Sequence, residues 1–307
     1  MFNRNIPKTL DDVIIIDDSK PNKLTVKINN VTIPYLKILR DMMFDHVPTM
    51  AIDKILIYNN TSTRNFEEIA NDLELIPIYA NPNDFKYFDG AHTGDNTIVF
   101  DLDKTGPTMQ ETLSNPYSTY LLSGNLKWVP FEQVAFHLNP DLDLDTYGDQ
   151  QNKFNNDPPR VSDDNFVILA LRQGENVKMR CLALKGSGKY HTKFSPVSNV
   201  IYEKIGQNDQ IIEGTSMDPI TLKQPQPTYK PNLALLNYIE RRTITGDVTV
   251  TEYSLLYPEQ NYTLTLETKG QLSPLDVLKE AIKLTVSYME KPLSERQEDI
   301  TIPGYVY

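Results

Sequence analysis

The segment KGSGKYHTKFSPVSN at 185–199 holds two glycines, four basic or potentially basic side chains and a proline. Glycine lets backbone N–H groups close around phosphate oxygens, and lysine adds charge, so Lys185, Gly186, Gly188 and Lys189 have the content of a phosphate-gripping loop. The context is wrong. Such a loop runs from a strand into a helix whose N-terminus faces the anion, whereas Pro196 blocks a helix and NVIYE at 199–203 resumes a strand. The glycines are therefore expected to let the chain turn sharply while Lys189, His191, Lys193 and Phe194 face a partner. DLDLD at 141–145 starts like a calcium loop, but position six is Thr146 and position twelve is Asn152, where glycine and glutamate are needed. An acidic, solvated loop is expected there. His46, His92, His137 and His191 are scattered, with no pair spaced to put two ligands on one helical face. Cys181 falls on the apolar side of a strand, with Val177, Met179 and Ala183, where a thiol is inert.

TIVFDLDKTG at 97–106 is the sharpest enzymatic signal. An apolar strand ending in Asp-x-Asp-x-Thr resembles the nucleophile loop of haloacid-dehalogenase-like phosphohydrolases. That resemblance implies Asp101 as nucleophile and Asp103 as acid/base, with both helping to bind magnesium. The family also needs an acidic pair after a strand, and Asp163-Asp164 stands before one. The competing reading is an exposed strand end with solvated aspartates.

At 307 residues the chain has length for two modest domains, each with its own core. The 17 tyrosines and only 13 glycines favour a globular, β-rich chain. A net charge of -11 opposes sequence-independent binding to DNA or RNA, which depends on Lys and Arg releasing counterions from phosphates. One cysteine excludes internal disulfides and thiolate metal clusters. No apolar run approaches the roughly 20 residues that cross a bilayer, so a soluble, intracellular protein without a membrane partner is expected.

The elements emerge from periodicity and caps. LTVKI at 24–28 alternates as a strand, and a helix comes next with Thr32 as cap, Pro34 in its first turn and Leu36, Leu39 and Met43 on one face. It should stop before Pro48. AIDKILIY at 51–58 reads as a strand and FEEIANDLELI at 66–76 as a helix ended by Pro77. From 79 to 159 short β-prone runs alternate with turn residues. FVILALRQGENVKMRCLAL at 166–184 reads as a β-hairpin about Gly174. YTLTLET at 262–268 is a strand. The clearest helix is SPLDVLKEAIKLTVSYM at 273–289, with Ser273 as cap, Pro274 at the first position, Asp276 in the first turn and Leu278, Ile282, Val286 and Met289 as its stripe.

Read in order, these segments resemble the assembly subunit of multisubunit RNA polymerases: the eukaryotic third-largest subunit, the archaeal D subunit and the amino-terminal part of bacterial alpha. LRDMMFDHVPTMAIDKILIYNNTS is similar to the family's helix, valine-proline-threonine and alanine-isoleucine-aspartate run. FEEIANDLELIPI resembles its next helix and leucine-isoleucine-proline signature, and STYLLSGNLK its tyrosine-serine-glycine-aspartate-leucine-lysine segment. In the archaeal and eukaryotic branch a lysine-glycine turn leads through a lysine and a histidine to a lysine, an aromatic, a serine and a proline. Lys185, Gly186, Lys189, His191, Lys193, Phe194, Ser195 and Pro196 reproduce that order. YTLTLETKGQLSPLDVLKEAIKLTV looks like the closing strand, turn and dimerisation helix. Three departures stand out: Arg40 is followed by Asp41 where the family has two arginines, Asp72 and Glu74 occupy its arginine and glycine positions, and a cysteine cluster is missing.

The resemblance implies an α+β fold: a discontinuous dimerisation domain, a sheet plus two helices, from 1–48 and 197–307, around an inserted β-rich domain at 49–196. The stretch near 204–259 matches no part of the family. It further implies a non-catalytic scaffold without a cofactor or metal of its own, heterodimerising with a small partner subunit and docking the largest and second-largest subunits and a small adapter, with DNA met only indirectly. The partner-binding residues would be Leu36, Leu39, Arg40, Met43, Leu278, Ile282, Val286 and Met289 on the helices, and Lys185, Gly186, Gly188, Lys189, His191, Lys193 and Phe194 on the loop. The work would be done in nucleus or cytoplasm. The Asn- and Asp-rich divergence suits a large DNA virus and packaging in a virion.

Overall fold

The computed structural model describes residues 7, 9, 12–114, 119–138, 147–205 and 259–290. Its first sheet joins the two ends of that span. Strands β1 (Val13–Lys20), β2 (Lys23–Val31), β11 (Val197–Lys204) and β12 (Gln260–Thr268) lie in the order β1-β2-β12-β11, with every neighbour antiparallel. Leu24 pairs with Leu266 and Val26 with Leu264, so the alternation of 24–28 and 262–268 puts one apolar row across the sheet. All four are buried, whereas Thr25 and Thr265 lie on the opposite face with their hydroxyls 3.3 Å apart. This is the one-sided pattern of an antiparallel sheet covered on a single face. Strand β1 is an edge that periodicity did not reveal, because Ile14, Ile15 and Ile16 are all exposed.

Two helices form the cover. Helix α1 (Ile33–Asp41) continues through a π-turn at Met42–His46 that ends where Val47 and Pro48 turn extended. Pro34 sits at its start; Thr32 occupies the cap position but makes no side-chain cap bond. In helix α6 (Pro274–Glu290) the cap is realised: the Ser273 hydroxyl accepts from Asp276 N at 3.1 Å and donates to the Asp276 carboxylate at 2.6 Å. Both helices and the β2/β12 row share one core.

Between these pieces the chain builds a second sheet from β3 (Pro48–Asn60), β5 (Thr97–Thr105), β7 (Lys127–Val129) and β10 (Asn176–Ser187), in the order β3-β10-β5-β7. Its larger core includes Phe100, Met179 and Cys181 with Ile69 and Leu73 of α2 (Phe66–Glu74). A smaller core sets Val99 and Leu182 against Phe131 and Val134 of α4 (Phe131–Leu138). Short helices α3 (Met109–Ser114) and α5 (Gln150–Lys153) lie in the same part of the chain. Gln150 is buried and donates to the carbonyls of Gly94 and Thr97 at 2.7 and 2.8 Å, anchoring its loop to β5. Strands β4 (Ile78–Tyr79) and β8 (Arg160–Val161) pair, as do β6 (Tyr120–Leu122) and β9 (Val167–Ala170).

The expected hairpin at 166–184 does not form. Gly174 makes the turn, with φ +81°, but β10 is already paired on one edge with β3 and on the other with β5, so β9 goes to β6 instead. The 141–145 run and nearly all of 204–259 lie outside the described residues.

Core and edge predict opposite responses to truncation. Leu264→Ala should destabilise the chain by about 2–5 kcal/mol, because a closely packed site cannot collapse around the lost methyls. Ile15→Ala on the exposed edge should stay within about 0.5 kcal/mol. Denaturant unfolding of both variants checks the contrast.

Candidate functional site

The loop after β10 is shaped by contacts that only glycine permits. A Cβ on Gly186 would lie 2.7 Å from carbons of the Phe194 ring, and one on Gly188 would lie 1.9 Å from the Phe44 carbonyl oxygen. The first glycine seats a fully buried ring on the backbone. The second brings the loop against the π-turn that ends α1. Backbone and side-chain bonds then fix the segment to its surroundings: Lys189 N donates to Asp45 O at 2.9 Å, Thr49 Oγ1 to Phe194 O at 2.6 Å, and Gln271 Nε2 to Lys193 O at 3.0 Å. His191 Nδ1 accepts from Lys193 N at 3.2 Å. The loop thus ties the second sheet to the helical layer of the first.

Lys193 corrects the expectation that four of the loop's side chains face a partner. Its side chain is 5% exposed, with Nζ 2.8 Å from Asp53 and 3.2 Å from Glu74. An ammonium buried this far is stable only when paired, and the two carboxylates turn it inward beside the Phe194 ring. Phe194 is likewise internal. Lys185 is half-buried, donating to Phe85 O at 3.0 Å over the Tyr87 ring; burial lowers its pKa, and Glu280 of α6 acts against that shift. Gly186 is buried and Gly188 half-buried, leaving Lys189 and His191 as the exposed members of the set, with Tyr190 between them. The two acidic departures have local partners: Glu74 holds Lys193, and Asp72 accepts from Arg64 at 2.6 Å. Asp53 was missed in the sequence; a single carboxylate beside the buried run at 49–52 was the available sign that a cation would be needed.

The helix stripes also turn inward. Leu36, Leu39, Met43 and Leu278 have no exposure, Ile282 has 1% and Met289 has 9%, all within the core over the first sheet. Within this chain they are covered by the sheet and by each other. Arg40 is exposed, with its guanidinium 5.5 Å from the Phe44 ring, and Val286 is half-buried. Ala281 and Thr285, outside the predicted stripe, are completely buried, and the Thr285 hydroxyl is absorbed by Ala281 O at 2.7 Å. The outward side of the layer carries Ile33 and Leu275, 50% and 37% exposed, with Lys37, Lys279 and Lys283.

The catalytic candidates are committed elsewhere. Asp101 faces Arg180 across β5 and β10 and accepts two bonds from it, at 2.6 and 2.8 Å. Asp103 faces Lys178 at 2.8 Å, which lowers its pKa. The pair is a cross-strand charge ladder, so both aspartates have a structural role as ion-pair partners of β10. Cys181 is buried, its thiol pushed up to about 12. The histidines lie in separate places. His92 lies against Phe88 with the two rings tilted by 41°, its Nδ1 3.0 Å from Thr97 Oγ1 and its Nε2 3.4 Å from Lys54 Nζ. His137 ends α4 beside Phe136, and burial lowers His46.

Two measurements probe this chemistry. Lys193→Met should destabilise the chain by about 3 kcal/mol in denaturant unfolding, because Asp53 and Glu74 lose their cation, while Lys189→Glu should change stability by less than about 0.5 kcal/mol. Burial, then the Lys54 charge, push His92 from its ordinary 6.5 down to about 4. The unfolded chain therefore takes the proton first, so the His92 contribution is whole above about pH 6.5 and is lost as pH falls toward 4. In His92→Gln that part of the acid sensitivity should vanish from a series of thermal midpoints across this range.

Residues 25–288 match the family described as the RNA polymerase Rpb3/Rpb11 dimerisation domain. The chain is 27% identical over 309 residues to the DNA-directed RNA polymerases I and III subunit rpac1 of Dictyostelium discoideum, covering 93% of this chain and 81% of that protein. It is 25% identical to the human subunit RPAC1, over 92% of this chain and 83% of that one. With the DNA-directed RNA polymerase subunit Rpo3 of Pyrococcus furiosus it shares 23% identity over 92% and 95% of the two chains. The matched span opens within β2 and closes within α6, the strand and helix that build the first core, and the chain belongs to the RNA polymerase Rpb3/Rpb11 dimerisation domain family.

Proposed function

We propose that the chain is a non-catalytic scaffold subunit of a multisubunit DNA-directed RNA polymerase. The observation that carries this reading is the first sheet with its two-helix cover, over which the family match runs from strand to closing helix. The same reading divides the chain into a dimerisation unit from 1–48 and 197–307 and an inserted unit at 49–196, in keeping with the two sheets and their separate cores.

A small partner subunit would cover the outward side of α1 and α6, where Ile33, Arg40 and Leu275 are exposed and Val286 is half-buried. Lysines interleave with these apolar side chains, so a partner offering apolar contacts ringed by acids fits best. The exposed crest of the loop, Lys189 to His191, would meet a large subunit or a small adapter. DNA would be handled by the large subunits, which suits an acidic scaffold with a charge of -11.

Surface and core positions on the two helices separate binding from folding. Leu275→Asp combined with Ile33→Asp should abolish co-elution with the small partner and leave the thermal midpoint of the isolated chain nearly unchanged. Ile282→Asp should instead unfold it, because the carboxylate would be buried without a cation. Undiminished co-elution of the double variant would remove the partner from this face.

A further inference from the structure

Four buried side-chain polar atoms lack a hydrogen-bond partner among the described residues: Trp128 Nε1, Ser195 Oγ, Thr268 Oγ1 and Gln271 Oε1. Three of them belong to neighbouring segments. Val197 pairs with Thr268 across β11 and β12, Lys269 N donates to Pro196 O at 2.9 Å, and Gln271 Nε2 donates to Lys193 O at 3.0 Å. Ser195, Thr268 and Gln271 are 6%, 6% and 1% exposed, so bulk solvent does not satisfy them. Ser195 and Val197 are alternate residues of an extended segment, and Thr268 continues the buried row of Leu264 and Leu266, which places both hydroxyls on the helix-covered side of the sheet.

The donor and acceptor inventory at this junction is specific. The Gln271 amide nitrogen is engaged by a carbonyl, so its oxygen needs a donor. Each hydroxyl offers one proton and accepts another. A single water meets all three demands: it donates to Gln271 Oε1 and to one hydroxyl, and accepts from the other. Three bonds are what buried waters typically make. Orphaned buried oxygens are rare in folded proteins, and a water bridging such groups is nearly as good as a direct hydrogen bond.

We propose that Ser195, Thr268 and Gln271 form an internal water site, and that the water joins the 192–197 segment to the turn that starts α6. The clasp between the loop and the helical layer is then part protein and part solvent. Lys193 anchors the segment on the side of the second sheet through Asp53 and Glu74, and the water anchors it on the side of the first.

Thr268→Val tests the site by the sign of its effect. Valine keeps the shape and removes the hydroxyl. If the hydroxyl bonds a water, the variant loses a bond and the thermal midpoint of the full chain falls by about 2–4 °C; if the hydroxyl is an unsatisfied group, its removal leaves the midpoint unchanged or raises it. Thr268→Ser retains the hydroxyl and should retain the water, which separates loss of the bond from loss of packing. A crystal structure that resolves ordered solvent completes the test. A density peak within hydrogen-bond distance of Ser195 Oγ, Thr268 Oγ1 and Gln271 Oε1, absent in Thr268→Val, supports the proposal. Hydroxyls bonded directly to each other with no such peak, or a midpoint that does not fall, overturns it.

Discussion

The pairing of β2 with β12 is the constraint on which the rest of the structure depends. It joins residues near 24–31 to residues near 260–267 through an antiparallel register, and it supplies the apolar row that both helices cover. Everything between must leave this sheet and return to it. The return is made possible by the second long pairing, β3 with β10, whose register runs from Pro48 opposite Ser187 to Asn60 opposite Val177. The strand that leaves the helical layer and the strand that comes back to it are therefore neighbours, and the two sheets are linked by adjacent chains.

Besides these neighbouring strands, the segment at 185–196 ties the two sheets together. Gly188 lets it touch the Phe44 carbonyl, Phe194 fills the space above Gly186, and Lys193 reaches back to β3 and α2. Half of the basic content that suggested a phosphate site or a docking surface, Lys185 and Lys193, is spent inside the molecule. A lysine placed between Asp53 and Glu74 costs desolvation of three charges, and such arrangements often contribute specificity of geometry more than net stability.

Much of this was legible in the sequence where one segment carried its whole signal. The 274–290 helix announced itself through Ser273, Pro274 and Asp276, and the strict alternation at 262–268 marked both the strand and its buried face. Signals that depend on distant segments failed. The 166–184 hairpin had the correct turn residue, but strand pairing is decided by which edges are free, and β10 had none. The apolar helix stripes, expected to meet a partner, pack over the first sheet, because periodicity tells that a face is covered and not what covers it. Lys193 could not be distinguished from Lys189 by type or spacing; only the approach of Asp53 and Glu74, both far from it along the chain, separates them. Ala281 and Thr285 escaped notice since neither is strongly apolar.

The central claim is that this chain works as an assembly scaffold within an RNA polymerase. Its most direct test is affinity purification of the tagged chain from its native source in mild salt, with the co-purifying chains identified by mass. The account predicts two very large subunits and one small partner near stoichiometry with the tagged chain. Recovery of the chain alone, soluble and monodisperse, would contradict it.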